Sequence, residues 1–154
     1  MKKLILACAM MLSGITAFAG EPQPNRGWVK EVTKTYHNVD DITPKKDGTS
    51  NHVWHKCNTE IVFHYQEDSQ WASVQSDEEI VTYILDGLKN IEVGKGGENT
   101  KITYSYGTQP SMDVFGNRVT ATLFRRMVVY SPDGSYLREY YNITMANGKR
   151  KMYK

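Results

Sequence analysis

The chain has 154 residues, of which 40% are hydrophobic, and its 19 lysine and arginine side chains nearly balance 17 aspartate and glutamate side chains. This balance excludes a strong global attraction to nucleic acid or to an anionic membrane surface. The length suits one domain built around one hydrophobic core.

The first 19 residues have the layout of a bacterial export signal. Lys2 and Lys3 give a positive start, an apolar run follows over residues 4–12, and Ala17-Phe18-Ala19 is the small-x-small pattern that signal peptidase cleaves. The apolar run is shorter than the roughly 20 residues of a spanning helix. The sequence therefore predicts cleavage before Gly20, no membrane span after signal removal, and a mature protein that is periplasmic or secreted.

Removal of this signal changes the charge and cysteine content. The remaining chain has 17 basic and 17 acidic side chains, with 8 basic and 14 acidic in residues 20–100 but 9 and 3 in residues 101–154. Cys8 leaves with the signal, so Cys57 has no intramolecular disulfide partner. A lone thiol in an oxidising compartment is either buried or able to link two chains into a dimer.

Residues 20–27 are polar and contain two prolines, which predicts a flexible leader before a single domain of residues 28–154. A first strand is predicted from Trp28 to Val39, and a loop over residues 40–51. Residues 52–65 predict two short strands joined at Asn58-Thr59, which would place Trp54 on the core-facing side. A single longer strand is the alternative, because Asn-Thr is a weak turn signal.

The segment from Ser76 to Asn90 predicts one amphipathic helix. Ser76 and Glu79 match a capping box, and Ile80, Ile84 and Leu88 follow at four-residue spacing. We therefore expect this helix to pack on the sheet with Ile84 buried.

Three turn signals divide the C-terminal third: Gly116-Asn117, Pro132-Asp133-Gly134 and Asn147-Gly148. Pairing outward from each turn gives one alternation. Its apolar face contains Met112, Val114, Val119, Ala121, Leu123, Met127, Val129, Leu137, Tyr141, Ile143, Met145 and Met152. The basic residues 149–154 predict an exposed edge strand. The chain as a whole predicts an α+β fold, a curved antiparallel sheet that ends in this β-meander and carries one helix.

The face of the predicted meander opposite the apolar one displays Arg126, Tyr130, Arg138 and Tyr140. Arginine and tyrosine dominate the energetics of many interfaces, and their rings and guanidinium groups also suit sugars. These four residues are the predicted binding surface for a protein or glycan partner. The competing interpretation is that a second layer of the protein covers this face.

A second candidate site consists of His55, Cys57, Glu60 and His64. The two-strand interpretation places them on one face, and all four types can ligate zinc. Their spacing matches no zinc-finger or protease signature, so the alternative is that the cysteine packs and the histidines are half exposed. A metal-dependent hydrolase built on this cluster is the second functional hypothesis.

No catalytic signature is present, so the sequence favours a protein that is not an enzyme and needs no cofactor. The leading hypothesis is an exported, non-catalytic binding protein that engages a protein or glycan through a β-sheet face. The third hypothesis is an envelope structural component.

Overall fold

The computed structural model of the chain describes residues 29–66 and 69–154. These residues contain no helix, and therefore none long and apolar enough to cross a membrane. The ten strands, in chain order, are β1 (Val29–Pro44), β2 (Ser50–Gln66), β3 (Ser69–Gln75), β4 (Ile80–Gly96), β5 (Asn99–Thr108), β6 (Ser111–Met112), β7 (Arg118–Val119), β8 (Ala121–Tyr130), β9 (Tyr136–Met145) and β10 (Arg150–Tyr153). The predicted export signal and leader lie outside the described residues.

The chain divides into two compact units. The described part of the larger unit comprises residues 29–66, 69–92, 103–127 and 139–154, and that of the smaller unit comprises residues 93–102 and 128–138. The prediction of a single domain over residues 28–154 stays a prediction.

Antiparallel pairing closes the sheet of the larger unit. Strand β1 pairs with β2 along its length and also with β10, where Val39 lies opposite Tyr153. The strand order β1-β10-β9-β8-β5-β4-β3-β2 thus forms a closed barrel, while β6 and β7 form a separate two-stranded sheet. Because β10 lies between β9 and β1, the prediction that residues 149–154 form an exposed edge is wrong.

Aromatic and aliphatic side chains fill the interior of the larger unit. Phe63 and Phe124 stack with ring centroids 6.2 Å apart, and Tyr36 meets Tyr141 edge to face at 6.0 Å. Both arrangements are favoured by the aromatic quadrupole. The buried cluster comprises Tyr36, Ile61, Phe63, Ala72, Val74, Val81, Tyr83, Leu85, Tyr106, Ala121, Phe124, Tyr141, Ile143 and Tyr153.

The prediction of an α+β fold with an amphipathic helix is wrong, because the predicted helical segment forms β4. Ser76 Oγ does accept the backbone N–H groups of Glu78 and Glu79, but these bonds close a turn between strands. The four-residue spacing of the apolar stripe is also an even spacing, so it fits one face of a strand equally well. The face that packs inward is the other one, with Tyr83 1% exposed and Ile84 47% exposed.

Residues 50–66 form one continuous strand, so the predicted turn at Asn58-Thr59 is wrong and the single-strand alternative is correct. The pairing with β1 shifts register between Tyr36 and Asn38, which lie opposite Thr59 and Lys56. The strand therefore continues through Asn58-Thr59 with a β-bulge beside it, and the chain does not reverse there. The predicted loop over residues 40–51 is limited to a short turn after Pro44.

The structure confirms a turn at Pro132-Asp133-Gly134, where Ser131 N–H donates to Ser135 C=O at 2.9 Å. At Asn147-Gly148 the predicted pair is Ala146 with Lys149, but the observed pair is shifted by one residue, because Met145 N–H donates to Lys149 C=O at 2.8 Å. A one-residue shift moves every following side chain to the other face. Met152 therefore lies opposite Asn142 and not on the core-facing side.

Candidate functional site

The predicted binding set does not lie on one open surface. Arg126 is 4% exposed and Tyr130 is 1% exposed, so neither can present its side chain to a partner. Arg138 is exposed and Tyr140 is half-buried. Arg126 belongs to the interior of the larger unit, where its guanidinium carbon lies 5.1 Å from the centre of the Phe63 ring.

The predicted metal set is divided between two environments. Alternation along the continuous strand β2 separates His55 and Cys57 from Glu60 and His64. His64 bonds to Glu31 with Nδ1 and Oε2 3.1 Å apart, and its ring stacks on Trp71. The described residues contain no group of three histidine, cysteine or acidic side chains arranged to hold a metal ion.

Two rows of paired residues cross strands β2, β1, β10 and β9 on the outer face of the larger unit. Directly opposed residues of an antiparallel sheet share a face. One row is Trp54, Asp40, Met152 and Asn142, and the other is His52, Ile42, Arg150 and Thr144. These residues alternate with the core residues Tyr141, Ile143 and Tyr153, so they lie on the opposite face of the sheet. Three residues of this face are themselves buried by their neighbours: Asp40, Ile42 and Asn142.

Lysine and arginine side chains lie beside these two rows. Lys154 Nζ lies 5.4 Å from the Trp54 ring centre and 5.8 Å from that of Tyr140. Arg125 Nη1 donates to Thr144 Oγ1 at 3.3 Å, which adds β8 to the same face. We call this surface the basic aromatic face, and it consists of Trp54, Lys56, Arg125, Tyr140, Arg150 and Lys154.

The cations of the basic aromatic face are held by neutral groups. Lys56 Nζ donates to Asn38 Oδ1 at 3.2 Å, and Arg150 Nη2 donates to Ser50 Oγ at 3.4 Å. Burial lowers the pKa of Arg125 and the like charge of Arg150 lowers it further, while the negative charge of Glu92 acts in the opposite direction. The two arginines therefore repel each other across the face.

The row that contains Trp54 also contains a carboxylate, Asp40, which is 4% exposed. Its Oδ2 is 2.6 Å from His52 Nδ1, while its Oδ1 has no hydrogen-bond partner in the described part of the chain. Asp40 and Glu92, whose charge acts on Arg125, are two acids against the four cations of the face.

A cavity of about 370 Å³ opens on the inner side of the same strands. Val39, Asp41 and Tyr153 line it, and they alternate along β1 and β10 with residues of the outer rows. The turn between β3 and β4 closes the other side. The full lining is Val39, Asp41, His55, Lys56, Cys57, Asn58, Thr59, Ser76, Asp77, Glu78, Glu79, Lys151 and Tyr153.

Charged pairs form part of the cavity wall. His55 Nε2 bonds to Asp41 Oδ2, and Lys151 Nζ lies 3.1 Å from Glu79 Oε1. Burial raises the pKa of Tyr153 far above its usual value, and the negative charge of Glu79 raises it further. The Tyr153 phenol is therefore neutral and able to donate a hydrogen bond at any ordinary pH.

Sequence reasoning missed most of both surfaces. Trp54 was assigned to the core because a turn at Asn58 would have placed it beside Ile61, whereas continuous alternation places it outside. The signal that could have revealed the outer face was the concentration of basic residues after position 100. The cavity could not be inferred, since it depends on the closure of the sheet.

In comparisons with known proteins, no family model, no curated protein and no solved structure matches this chain. The fold and the two surfaces described above are therefore the basis for any functional proposal.

Proposed function

We propose that this protein is an exported, non-catalytic binding protein that holds an acidic glycan on the basic aromatic face. One observation carries the proposal. Four cations lie on one sheet face, and none of them forms an ion pair with a carboxylate in the described residues. A face of this kind is complementary to a ligand that brings repeated negative charges.

The repulsion between Arg125 and Arg150 supports an anionic ligand. The charge of Arg150 is the second cause, after burial, that lowers the pKa of Arg125. An anion that binds between them removes this repulsion and gains charge-assisted hydrogen bonds from both guanidinium groups. The charge of Glu92 acts on Arg125 from a distance, but no carboxylate among the described side chains bonds to either guanidinium group.

The aromatic side chains favour a glycan among acidic ligands. Trp54 is 52% exposed, although its ring is large and apolar. An exposed ring of this size offers a flat apolar surface against which a sugar ring can stack, while its edge still tolerates water. Lys154 lies beside both Trp54 and Tyr140, so a carboxylate or sulfate next to a stacked sugar would find a cation within reach.

Action outside the cytoplasm is supported by the sequence of residues 1–19, which has the charge and apolar pattern of an export signal. Acidic polysaccharides are abundant outside bacterial cells, so the proposed compartment and the proposed ligand are compatible. A partner protein with an acidic surface is the other occupant considered in the test.

The proposal is tested by titrating the protein calorimetrically with oligomers of polygalacturonate and of heparin, with uncharged dextran as the control. We expect saturable binding of an acidic glycan that weakens as salt increases, because exposed charges are screened. The change Trp54→Ala with Lys154→Gln should reduce affinity by roughly tenfold or more, as loss of interface anchors does.

The matched control is Arg138→Gln, which removes one exposed cation that does not belong to the basic aromatic face. Its affinity should stay within about twofold of the unmodified protein, as expected for a remote rim charge. Binding that is equal for dextran and the acidic glycans, or that is insensitive to the Trp54 and Lys154 changes, contradicts the proposal. Retention of acidic proteins alone would point to a protein partner in place of a glycan.

A further inference from the structure

The cavity on the inner side of β1, β2 and β10 is not used by the proposed function. Its volume of about 370 Å³ lies at the lower end of the range of small-molecule sites. It is open at one end of the closed sheet of the larger unit, between β10 and the turn that precedes β4. A ligand of the size of one sugar ring would fill much of it.

Two largely buried residues present hydroxyl groups to this cavity. Thr59 is 2% exposed and Tyr153 is 3% exposed. Neither hydroxyl forms a hydrogen bond with any residue in the part of the chain that the structure describes. Neither oxygen is fully enclosed, so a molecule in the cavity can reach both. A ligand with hydroxyl groups would bond to both, since each can donate and accept.

The cavity lining carries more negative than positive charge, with four carboxylates against Lys56 and Lys151. Two of its lining carboxylates, Asp41 and Glu79, are already paired with His55 and Lys151. The other two, Asp77 and Glu78, are exposed and form no ion pair with a described residue. We call Asp77 and Glu78 the entrance carboxylates. They are adjacent in the chain, so one ammonium group could contact both.

From these observations we infer that the cavity binds a small hydroxylated primary amine of the size and chemistry of an amino sugar. The ammonium group is held by the entrance carboxylates, and the hydroxyl groups reach Thr59 and Tyr153. This site shares Lys56 with the basic aromatic face, which takes ligands of opposite charge, but it shares none of the other five residues of that face. The inference uses only Asp77, Glu78, Thr59 and Tyr153, so it does not depend on the proposed function.

The test uses glucosamine as the probe and glucose as the matched neutral control, each titrated calorimetrically into the full chain. We expect saturable binding of glucosamine and at least tenfold weaker binding of glucose. A second readout is available because Cys57 lines the cavity. Glucosamine should slow alkylation of Cys57 by iodoacetamide, measured on the peptide that contains it, whereas glucose should not.

Variants separate a binding role from a structural one. Asp77→Asn with Glu78→Gln should weaken glucosamine binding by roughly tenfold, the scale of a hydrogen bond to a charged group. The control, Asp86→Asn with Glu98→Gln, removes two carboxylates that do not line the cavity and should leave affinity unchanged. Thr59→Val removes a hydroxyl without a partner, so it should weaken binding while the urea midpoint of unfolding stays equal or rises.

The outcome distinguishes the two proposals in this protein. Trp54→Ala with Lys154→Gln should leave glucosamine binding intact even if it abolishes glycan binding on the outer face. Absence of saturable glucosamine binding, equal affinity for glucose, or full affinity in both the entrance and Thr59 variants would each overturn the inference.

Discussion

Arg126 is paired with Glu139 inside the larger unit, with side chains that are only 5% and 1% exposed. Arg126 Nε donates to Glu139 Oε2 at 2.8 Å, and Nη2 donates to Oε1 at 3.3 Å. The hydroxyl of Tyr141 also donates to this carboxylate. The guanidinium therefore neutralises a buried acid, and its role is structural although the sequence suggests a binding residue.

Arg126→Met should destabilise the protein by roughly 3–5 kcal/mol, because it leaves Glu139 buried without its partner. Urea unfolding monitored by tryptophan fluorescence measures this loss. The matched control is Arg138→Met, an exposed position where the change should stay within about 0.5 kcal/mol. Equal unfolding midpoints for the two variants would show that the ion pair is not buried.

The strand assignment of residues 80–96 makes opposite predictions for two neighbouring residues. Ile84 is 47% exposed and Leu85 is 6% exposed. Ile84→Ala should therefore cost less than about 1 kcal/mol, whereas Leu85→Ala should cost about 2–5 kcal/mol as core truncations do. The free energies of unfolding of the two variants decide the matter. A larger loss at Ile84 than at Leu85 would favour the helical interpretation of this segment.

Asp133 provides a prediction about pH. Hydrogen bonds from the Ser131 and Ser135 side chains lower the pKa of Asp133 to about 2. A carboxyl with a depressed folded-state pKa contributes stability above its unfolded value of about 4 and loses it as pH falls towards about 2. Carbon NMR of the carboxyl should show the low midpoint, and Ser131→Ala should raise it. A midpoint near 4 in the unmodified chain contradicts the turn geometry.

Gly148 and Gly116 give a matched pair for backbone strain, since both have a φ of +86°. An alanine at either position adopts a left-handed conformation that costs roughly 1–2 kcal/mol. A Cβ at Gly148 would also lie 3.3 Å from Pro44 Cγ, whereas nothing lies within 4 Å at Gly116. Gly148→Ala should therefore lower the thermal midpoint more than Gly116→Ala. The reverse order would mean that the turn after β9 is not packed against Pro44.

Processing of the predicted export signal can be checked directly by intact-mass analysis of protein recovered outside the cytoplasm. We expect the mass of a chain that begins at Gly20, because Ala17-Phe18-Ala19 precedes it. A mass that retains residues 1–19, or a diacylglycerol adduct on Cys8, is the contrary result. A cytoplasmic control fraction should contain the unprocessed chain if export is slow.

Local chemistry was sufficient to predict turns and several strands, but it wrongly predicted a helix after Ser76. Pro132-Asp133-Gly134 reverses the chain as expected, because its proline and glycine fix the backbone over three residues. The segment after Ser76 carries both a capping pattern and the β-favouring run Ile80, Val81, Thr82 and Tyr83. The choice between helix and strand is made there by pairing with β3, which is a non-local interaction.

The dependence on non-local pairing also explains why the candidate sites were only partly predicted from the sequence. The sequence correctly indicates that positive charge concentrates in the C-terminal third, and Tyr140 does lie on the basic aromatic face. It could not select Arg125 over Arg126, because that choice depends on which of two adjacent residues faces inward. Ala121 and Phe124 both belong to the core although they are three residues apart, so the alternation is broken between them. This break reverses which residues after position 121 face inward.

The position of β10 between β9 and β1 has a consequence for how the protein folds. The hydroxyl of Tyr36 bonds to the backbone oxygen of Glu139, which is 103 residues further along the chain. Closure must therefore bring distant segments together before most of the interior gains its contacts, and such topologies fold over milliseconds to seconds. Until β10 joins, β1 and β9 each present an open row of backbone donors and acceptors that can pair with another molecule. The half-assembled chain is thus the species most prone to aggregate, and export in an unfolded state would lengthen its lifetime.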